Sequence, residues 1–112
     1  MGKYTHVVLG IAIPGREDEY KAWYADRHIK DVCAQPGVKS ARLLGVDSVI
    51  GVSIDLPRYS TLAVYELEAD DVQTVLAGIR SKAGTDEMPM TDAAERTGSI
   101  HLVLREIAKE SA

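Results

Sequence analysis

The order of strand-like and helix-like segments is the feature that most constrains the fold of this chain. Four short segments rich in β-branched or alternating apolar residues and two longer segments of helix formers follow the order β-α-β-β-α-β. Two strand–helix–strand units place four strands in one antiparallel sheet with both helices on one face, a ferredoxin-like α+β fold. The predicted strands are 5–12, 38–46, 60–68 and 99–107, and the predicted helices are 16–34 and 72–83.

Turn residues support this division of the chain. Pro14 and Gly15 end the first strand, and Pro36 and Gly37 end the first helix. The segment 47–59 is predicted only as an extended loop or a hairpin excursion. The loop 84–98 is longer than most connections, and a short helical turn is predicted within it at 91–96. Residues 1–112 are expected to form one domain, because a chain of this length buries one core.

The two faces of the predicted sheet differ in polarity, because alternate side chains of a strand point to opposite faces. We expect the more apolar face to lie beneath the helices; it comprises Val7, Leu9, Ile11, Leu62, Val64, Ile100, Leu102 and Leu104. The other face is expected to line a semi-polar cavity or to meet a second sheet across a two-fold axis. It comprises His6, Val8, Gly10, Thr61, Ala63, Tyr65, His101, Val103 and Arg105. A homodimer is therefore expected.

Charge and missing motifs exclude several classes of protein. The formal net charge is −4 and no run of basic residues occurs, so nucleic acid and anionic membranes are not expected partners. The amino terminus does not resemble a signal peptide, and no segment approaches the roughly 18 apolar residues of a membrane span, so a cytoplasmic protein is predicted. Phosphate-binding, zinc-protease and serine-hydrolase motifs are absent. No metal site is predicted, since the histidines and Cys33 lack ligand spacing. No cofactor is predicted either.

The first predicted helix carries the most specific pattern in the sequence. The pattern reads Tyr20-x2-Trp23-Tyr24-x3-His28-x3-Val32-x3-Pro36-Gly37-Val38, and LAVYELEADD follows in the third strand. It resembles the signature of the EthD-like family, within the superfamily of dimeric α/β barrels. The sequence departs from the family at Asp31, where relatives commonly have an aliphatic residue.

This resemblance implies a ferredoxin-like homodimer in which the sheets of two subunits face each other. It also implies a small-molecule cleft in each subunit, between the sheet and the helices. Relatives in the superfamily include cofactor-free monooxygenases, cyclases, dehydratases, isomerases and heme-handling enzymes, so the resemblance leaves the reaction open.

Four residues are candidates for catalysis. His28 is the predicted general base, because imidazole titrates near neutral pH and can take and return a proton. Asp31, three residues later, is expected to hold one ring nitrogen of His28 and fix its tautomer. Tyr24 is a candidate donor to a developing oxyanion, and His6 could reach the same cleft from the sheet. The alternatives are that both histidines are structural, that Asp31 is solvated and that Tyr24 only packs.

Six further residues are candidates for substrate binding. Aromatic and histidine side chains are predicted to shape the pocket, Arg42 is a candidate anchor for an anionic group, and the two methionines around Pro89 are a candidate lid. Surface and packing roles remain the alternatives for these residues. The orientation of the first helix is also open, because its tyrosines and its stripe of small residues cannot both face the sheet. The candidates are Trp23, Tyr65, His101, Arg42, Met88 and Met90.

The functional hypothesis is a cofactor-independent enzyme that moves protons on a small apolar or aromatic oxygenated metabolite, as a lyase, dehydratase, cyclase or isomerase. The alternative hypothesis is a protein without catalytic activity that binds a small molecule or serves as an accessory dimer of a catabolic or biosynthetic pathway. Catalytic and binding pockets both use apolar walls and a few polar groups, so the sequence does not separate these two hypotheses.

Overall fold

A computed structural model describes residues 2–51 and 58–112 of the chain. Its four strands form one antiparallel sheet in the order β2-β3-β1-β4, which confirms the predicted ferredoxin-like α+β fold. The strands are β1 (Gly2–Ala12), β2 (Val38–Gly45), β3 (Thr61–Ala69) and β4 (Ala94–Leu104). The helices are α1 (Glu17–Trp23), α2 (Ile29–Cys33) and α3 (Val72–Lys82), and a π-helical turn (Tyr24–His28) joins α1 directly to α2.

The carboxyl-terminal strand begins earlier than the sequence indicated. The short helical turn predicted at 91–96 is wrong, because the chain turns at Asp92 and Ala93 and enters β4 at Ala94. Ala93 is fully buried, and its carbonyl accepts a hydrogen bond from the Ile13 backbone nitrogen at 2.7 Å. Pairing with the end of β1 therefore satisfies this backbone better than an isolated helical turn would. Residues 47–51 have no regular structure, and the rest of the predicted excursion includes 52–57, which lie outside the described residues.

The helices cover the face of the sheet opposite to the expected one. The side chains buried beneath them are those of His6, Thr61, Ala63, Tyr65 and Leu67, whereas Ile100, Leu102 and Leu104 remain exposed on the other face. The expectation that the more apolar face lies under the helices is therefore wrong. Small sheet residues make room for large helix side chains, as a Cβ added at Gly10 would lie 2.0 Å from the Tyr20 hydroxyl.

The tyrosines of the first helical segment, and not its small residues, pack on the sheet. Tyr20, Tyr24 and Val32 are 2 %, 4 % and 2 % exposed, whereas Ala22 and Ala25 are exposed. In a regular α-helix, residues four apart rotate by about 40° around the axis. The wider π-helical turn reduces this rotation between Tyr24 and His28. One face of the segment can therefore stay directed at the sheet.

Helix α3 packs on the same face of the sheet as the first helical segment, mainly against β3. α3 begins at a capped end, where the Asp71 side chain accepts a hydrogen bond from the Gln73 backbone nitrogen at 3.0 Å. Val75 of α3 is buried against the core. Among the described residues, no helix is both long enough and apolar enough to cross a membrane.

Candidate functional site

A cleft of about 400 Å³ opens between the first helical segment, strands β1 and β4, and the loop that follows α3. Its size lies in the range of small-molecule sites, which is about 300–1,000 Å³. Five of the predicted site residues line it, namely Trp23, Tyr24, His28, Met90 and His101. The other lining residues are Val8, Gly10, Ile11, Tyr20, Ala83, Gly84, Ala94, Glu95, Arg96 and Ser99.

His28 lies in an aromatic corner of this cleft. Its ring stacks on Trp23 with centroids 4.5 Å apart and meets the edge of Tyr24 at 5.0 Å. The Nδ1 atom is buried and has no hydrogen-bond partner among the described residues. Burial lowers the pKa of His28 from 6.5 to about 4, and the negative charge of Asp31 opposes this effect only in part. The imidazole is therefore neutral at pH 7.

The predicted hydrogen bond between Asp31 and His28 is not formed. The Asp31 carboxylate accepts instead from Arg27 Nε at 2.8 Å, in an ion pair between residues four apart. Arg27 also donates to the backbone carbonyl of Asp86 at 3.1 Å, so its guanidinium links the helix to the loop after α3. A charged guanidinium is a stronger partner for the carboxylate than a neutral imidazole. The interpretation of Asp31 as the group that orients His28 is therefore wrong.

Trp23 connects the helix to the methionine-containing loop. Its indole Nε1 donates to the carbonyl of Pro89 at 3.0 Å, and Met90 lines the cleft next to this contact. Met88 is fully buried in the core, and its carbonyl accepts from the Gly84 backbone nitrogen at 2.9 Å. A lid role stays a prediction for Met90, which lines the cleft, and is wrong for Met88, which is buried in the core.

Two hydroxyl pairs hold the helix to the sheet beneath the cleft. The hydroxyls of Tyr24 and Tyr65 lie 2.9 Å apart, and those of Tyr20 and Thr61 lie 3.0 Å apart. Burial raises the pKa of Tyr24 to about 12, and burial also raises the pKa of Tyr65. Tyr65 is covered and reaches the cleft only through Tyr24. Sequence reasoning missed Tyr20 as a lining residue, although the family pattern begins with it.

The other two histidines lie side by side on the sheet. Their ring centroids are 5.6 Å apart, because Val8 pairs with His101 and brings His101 next to His6. His101 lines the cleft, whereas His6 lies behind it, 5.7 Å from the ring of Tyr65. His6 is 8 % exposed, its Nδ1 has no partner among the described residues, and burial lowers its pKa from 6.5 to about 4. Burial lowers the pKa of His101 as well.

Arg42 lies on the other side of the sheet from the cleft. It is exposed on β2 and pairs with Val64, which shares the apolar face that the helices leave uncovered. Its predicted role as an anion anchor of this cleft is therefore wrong, because the register of β2 directs it away. Within residues 2–51 and 58–112, no group of three or more histidine, cysteine or acidic side chains could hold a metal ion.

Two of the site residues that sequence reasoning missed, Arg96 and Ser99, come from a bulge in β4. Leu9 pairs with Ile100 and Ile11 with Glu95, so residues 96–99 stand opposite the single residue Gly10. This bulge places Arg96 and Ser99 at the cleft. The signal in the sequence is Gly98, which has a positive φ of 87° that other residues rarely adopt.

Solved structures of other proteins have the same fold as this chain. No protein-family model matches the sequence, and no curated protein matches it. An EthD family protein from Bacillus halodurans C-125 is 14% identical, with a TM-score of 0.58 over 94% of this chain and 99% of that one. The chain has an EthD-like, ferredoxin-like fold.

Two further solved structures share the fold of this chain. A dimeric ferredoxin-like protein of unknown function from Jannaschia sp. CCS1 is 14% identical, with a TM-score of 0.62 over 94% of this chain and 100% of that one. The heme-degrader MhuD from Mycobacterium tuberculosis, with two hemes bound in its active site, is 20% identical, with a TM-score of 0.61 over 96% and 99%. At these identities, the similarity concerns the fold.

Proposed function

We propose that this protein is a cofactor-independent acid/base enzyme acting on a small, largely apolar, oxygenated or aromatic molecule, as a lyase, dehydratase, cyclase or isomerase does. The observation that carries the proposal is the neutral imidazole of His28 at the wall of an aromatic cleft, with an Nδ1 atom that no described residue satisfies. Buried polar groups in native proteins are nearly always hydrogen-bonded, so an orphaned one beside a cavity is a candidate for catalysis or ligand binding.

The neutral state of His28 determines which proton transfers it can support. With a pKa of about 4, the imidazole is unprotonated at pH 7 and can accept a proton from a carbon acid next to a carbonyl group. Negative charge then develops on the substrate oxygen. An adjacent negative charge raises the pKa of an imidazole, so His28 becomes a better base as the reaction proceeds. The same proton is returned to another atom of the substrate, which closes an isomerisation without any added reagent.

Tyr24 is the proposed donor to that oxygen. One of the two hydroxyls in the Tyr24–Tyr65 pair donates to the other. If Tyr65 donates, the Tyr24 proton stays free for a ligand in the cleft that Tyr24 lines. A preorganised phenol in a site that excludes water stabilises a developing oxyanion more than a solvated donor would. His101 adds a further polar group at the cleft, and the ring of His6 lies behind it.

A second function, binding of a small molecule without turnover, is favoured by one specific observation. The pKa of His28 lies well below neutral pH, where an imidazole is a weak base. Such a residue can still accept a hydrogen bond from a ligand. The protein would then hold a metabolite or serve as an accessory dimer in a catabolic or biosynthetic pathway.

Proton exchange separates the two functions without knowledge of the natural substrate. Enolisable aromatic ketones and lactones are incubated with the protein in D2O, and deuterium incorporation is followed by NMR. We expect catalysed exchange that falls by about 100-fold or more in His28→Gln, which matches the usual contribution of a general base. Lys30→Gln, an exposed change on the same helical segment, is the matched control.

Two results would contradict the enzymatic proposal. Exchange that is equally fast in His28→Gln removes the proposed base. Ligands that perturb the indole signal of Trp23, the single tryptophan of the chain, without any exchange indicate the binding function instead. The indole signal is a suitable probe because Trp23 lines the cleft.

A further inference from the structure

The charged side chains around the cleft differ in whether other residues of the protein bind them. At pH 7 the histidines His28 and His101 are neutral, since burial lowers the pKa of both. The Glu95 carboxylate accepts hydrogen bonds from the Thr97 backbone nitrogen at 3.0 Å and from the Thr97 hydroxyl at 2.8 Å, which lowers its pKa. These hydrogen bonds hold the Glu95 carboxylate, which remains negatively charged at pH 7, within β4. The guanidinium of Arg96 is left as the positive charge available to a ligand.

Arg96 differs in this respect from the other arginines near the cleft. Arg16 forms an ion pair with Asp92 at 2.7 Å, and Arg27 forms one with Asp31 at 2.8 Å. Arg96 forms no ion pair and donates no side-chain hydrogen bond within the part of the chain that the structure describes. Its backbone is held in place, because its carbonyl accepts from the Ser99 hydroxyl at 3.4 Å. The structure thus fixes the bulge and leaves the guanidinium free.

The lining of the cleft therefore combines two kinds of surface. Aromatic rings from the helical segment form one wall, and the bulge with Arg96 forms part of the other. A guanidinium offers two parallel donors that match a carboxylate, and it also pairs with a phenolate. Since the protein as a whole carries a net charge of −4, an unpaired cation at this position is a local feature and not part of a basic surface.

We propose that the cleft selects aromatic or apolar acids, with the ring against Trp23 and Tyr24 and the anionic group bound by Arg96. This inference rests on the proposed function, because it uses the same cleft, and it adds the class of ligand. The anionic group is bound on the strand side of the cleft. The rest of the molecule then lies toward His28, on the helix side.

The test compares an acid with its neutral analogue of the same shape. Naphthalene-2-carboxylate and naphthalene-2-carboxamide are titrated into 15N-labelled protein, and the indole N–H signal of Trp23 reports occupancy of the cleft. We expect the acid to bind about twofold to fivefold more tightly, as one exposed charge-assisted contact contributes. Arg96→Gln should abolish this preference, whereas Arg80→Gln, an exposed change on α3 outside the cleft, should keep it. The preference should also weaken as salt is added.

Each contrary outcome overturns a different statement. Equal binding of acid and amide by the unmodified protein, or a preference that persists in Arg96→Gln, overturns the assignment of Arg96 and leaves the small-molecule cleft in place. If neither compound shifts the Trp23 signal, the cleft does not take aromatic molecules, and the proposed function falls together with this inference. Arg96 is exposed, so its substitution should not disturb folding, which circular dichroism verifies.

Discussion

Protonation of the buried histidines should make this protein sensitive to mild acid. His6 and His28 each have a pKa lowered from 6.5 to about 4, chiefly because burial disfavours the charged form. In the unfolded chain both imidazoles take up a proton as the pH falls through about 6.5. The folded protein resists protonation until about pH 4. The unfolded state therefore binds more protons between these values, and stability is lost as the pH falls through this window.

The size of this effect follows from the two pKa values. A fall from 6.5 to about 4 corresponds to at most about 3 kcal/mol for each histidine, or about 6 kcal/mol for the two. Partial access of solvent to His28 makes these figures upper limits. A domain is typically stable by only 5–15 kcal/mol. A large part of the free energy of unfolding should therefore disappear between pH 7 and pH 4, with a slope of up to about 2.7 kcal/mol for each pH unit near pH 5.

The assay is urea unfolding at several pH values between 7 and 5.5. This window lies above the range in which the unfolded chain protonates Asp92 and Glu95, whose pKa values are lowered from 3.8 and 4.5 in the folded protein. His6→Gln and His28→Gln should each remove a large part of the slope, because glutamine does not titrate, and the lowered pKa of His101 leaves a residual slope in the double variant. A free energy of unfolding that is constant over this window, or a slope that persists unchanged in the double variant, would refute the reasoning.

Two further predictions concern packing and assembly. Gly10→Ala should destabilise the protein by about 1–3 kcal/mol in urea unfolding, because its Cβ would displace the buried Tyr20 hydroxyl; an unchanged midpoint would contradict the packing described. We expect a homodimer through the uncovered apolar sheet face. Leu102→Arg should therefore give a monomer in sedimentation experiments. The control variant Ile107→Arg, on the exposed carboxyl-terminal segment, should remain dimeric. A monomeric unmodified protein, or a Leu102→Arg variant that remains dimeric, would count against that interface.

The order of the elements was readable because it depends on local signals. Strand patterns, helix formers and the Pro36-Gly37 stop depend on neighbouring residues, and the structure confirms all six elements with shifts at their ends. The faces were not readable in this way. Which face of the sheet lies under the helices depends on how large side chains fit. Here Gly10 leaves room for Tyr20 on the face that polarity alone would have left uncovered.

The candidate site was predictable only in part, for similar reasons. The family pattern pointed to Trp23, Tyr24 and His28, and all three line one cleft. The ring contact between His6 and His101 depends on the register of β1 and β4, which residue patterns do not determine. The π-helical turn and the four-residue bulge are local departures from regular geometry, so no periodic pattern predicts them.

The two hydroxyl pairs beneath the cleft determine which packing the helix can adopt. A hydrophobic surface alone would tolerate sliding of the helix along the sheet by one turn, about 5.4 Å. Such a slide would separate Tyr20 from Thr61 and Tyr24 from Tyr65, leaving buried hydroxyls unpaired at a cost of about 1–3 kcal/mol each. Alternative alignments are thus excluded by unsatisfied hydroxyls. Substitutions at other lining residues of the cleft can then change which ligand binds without changing the position of the helix.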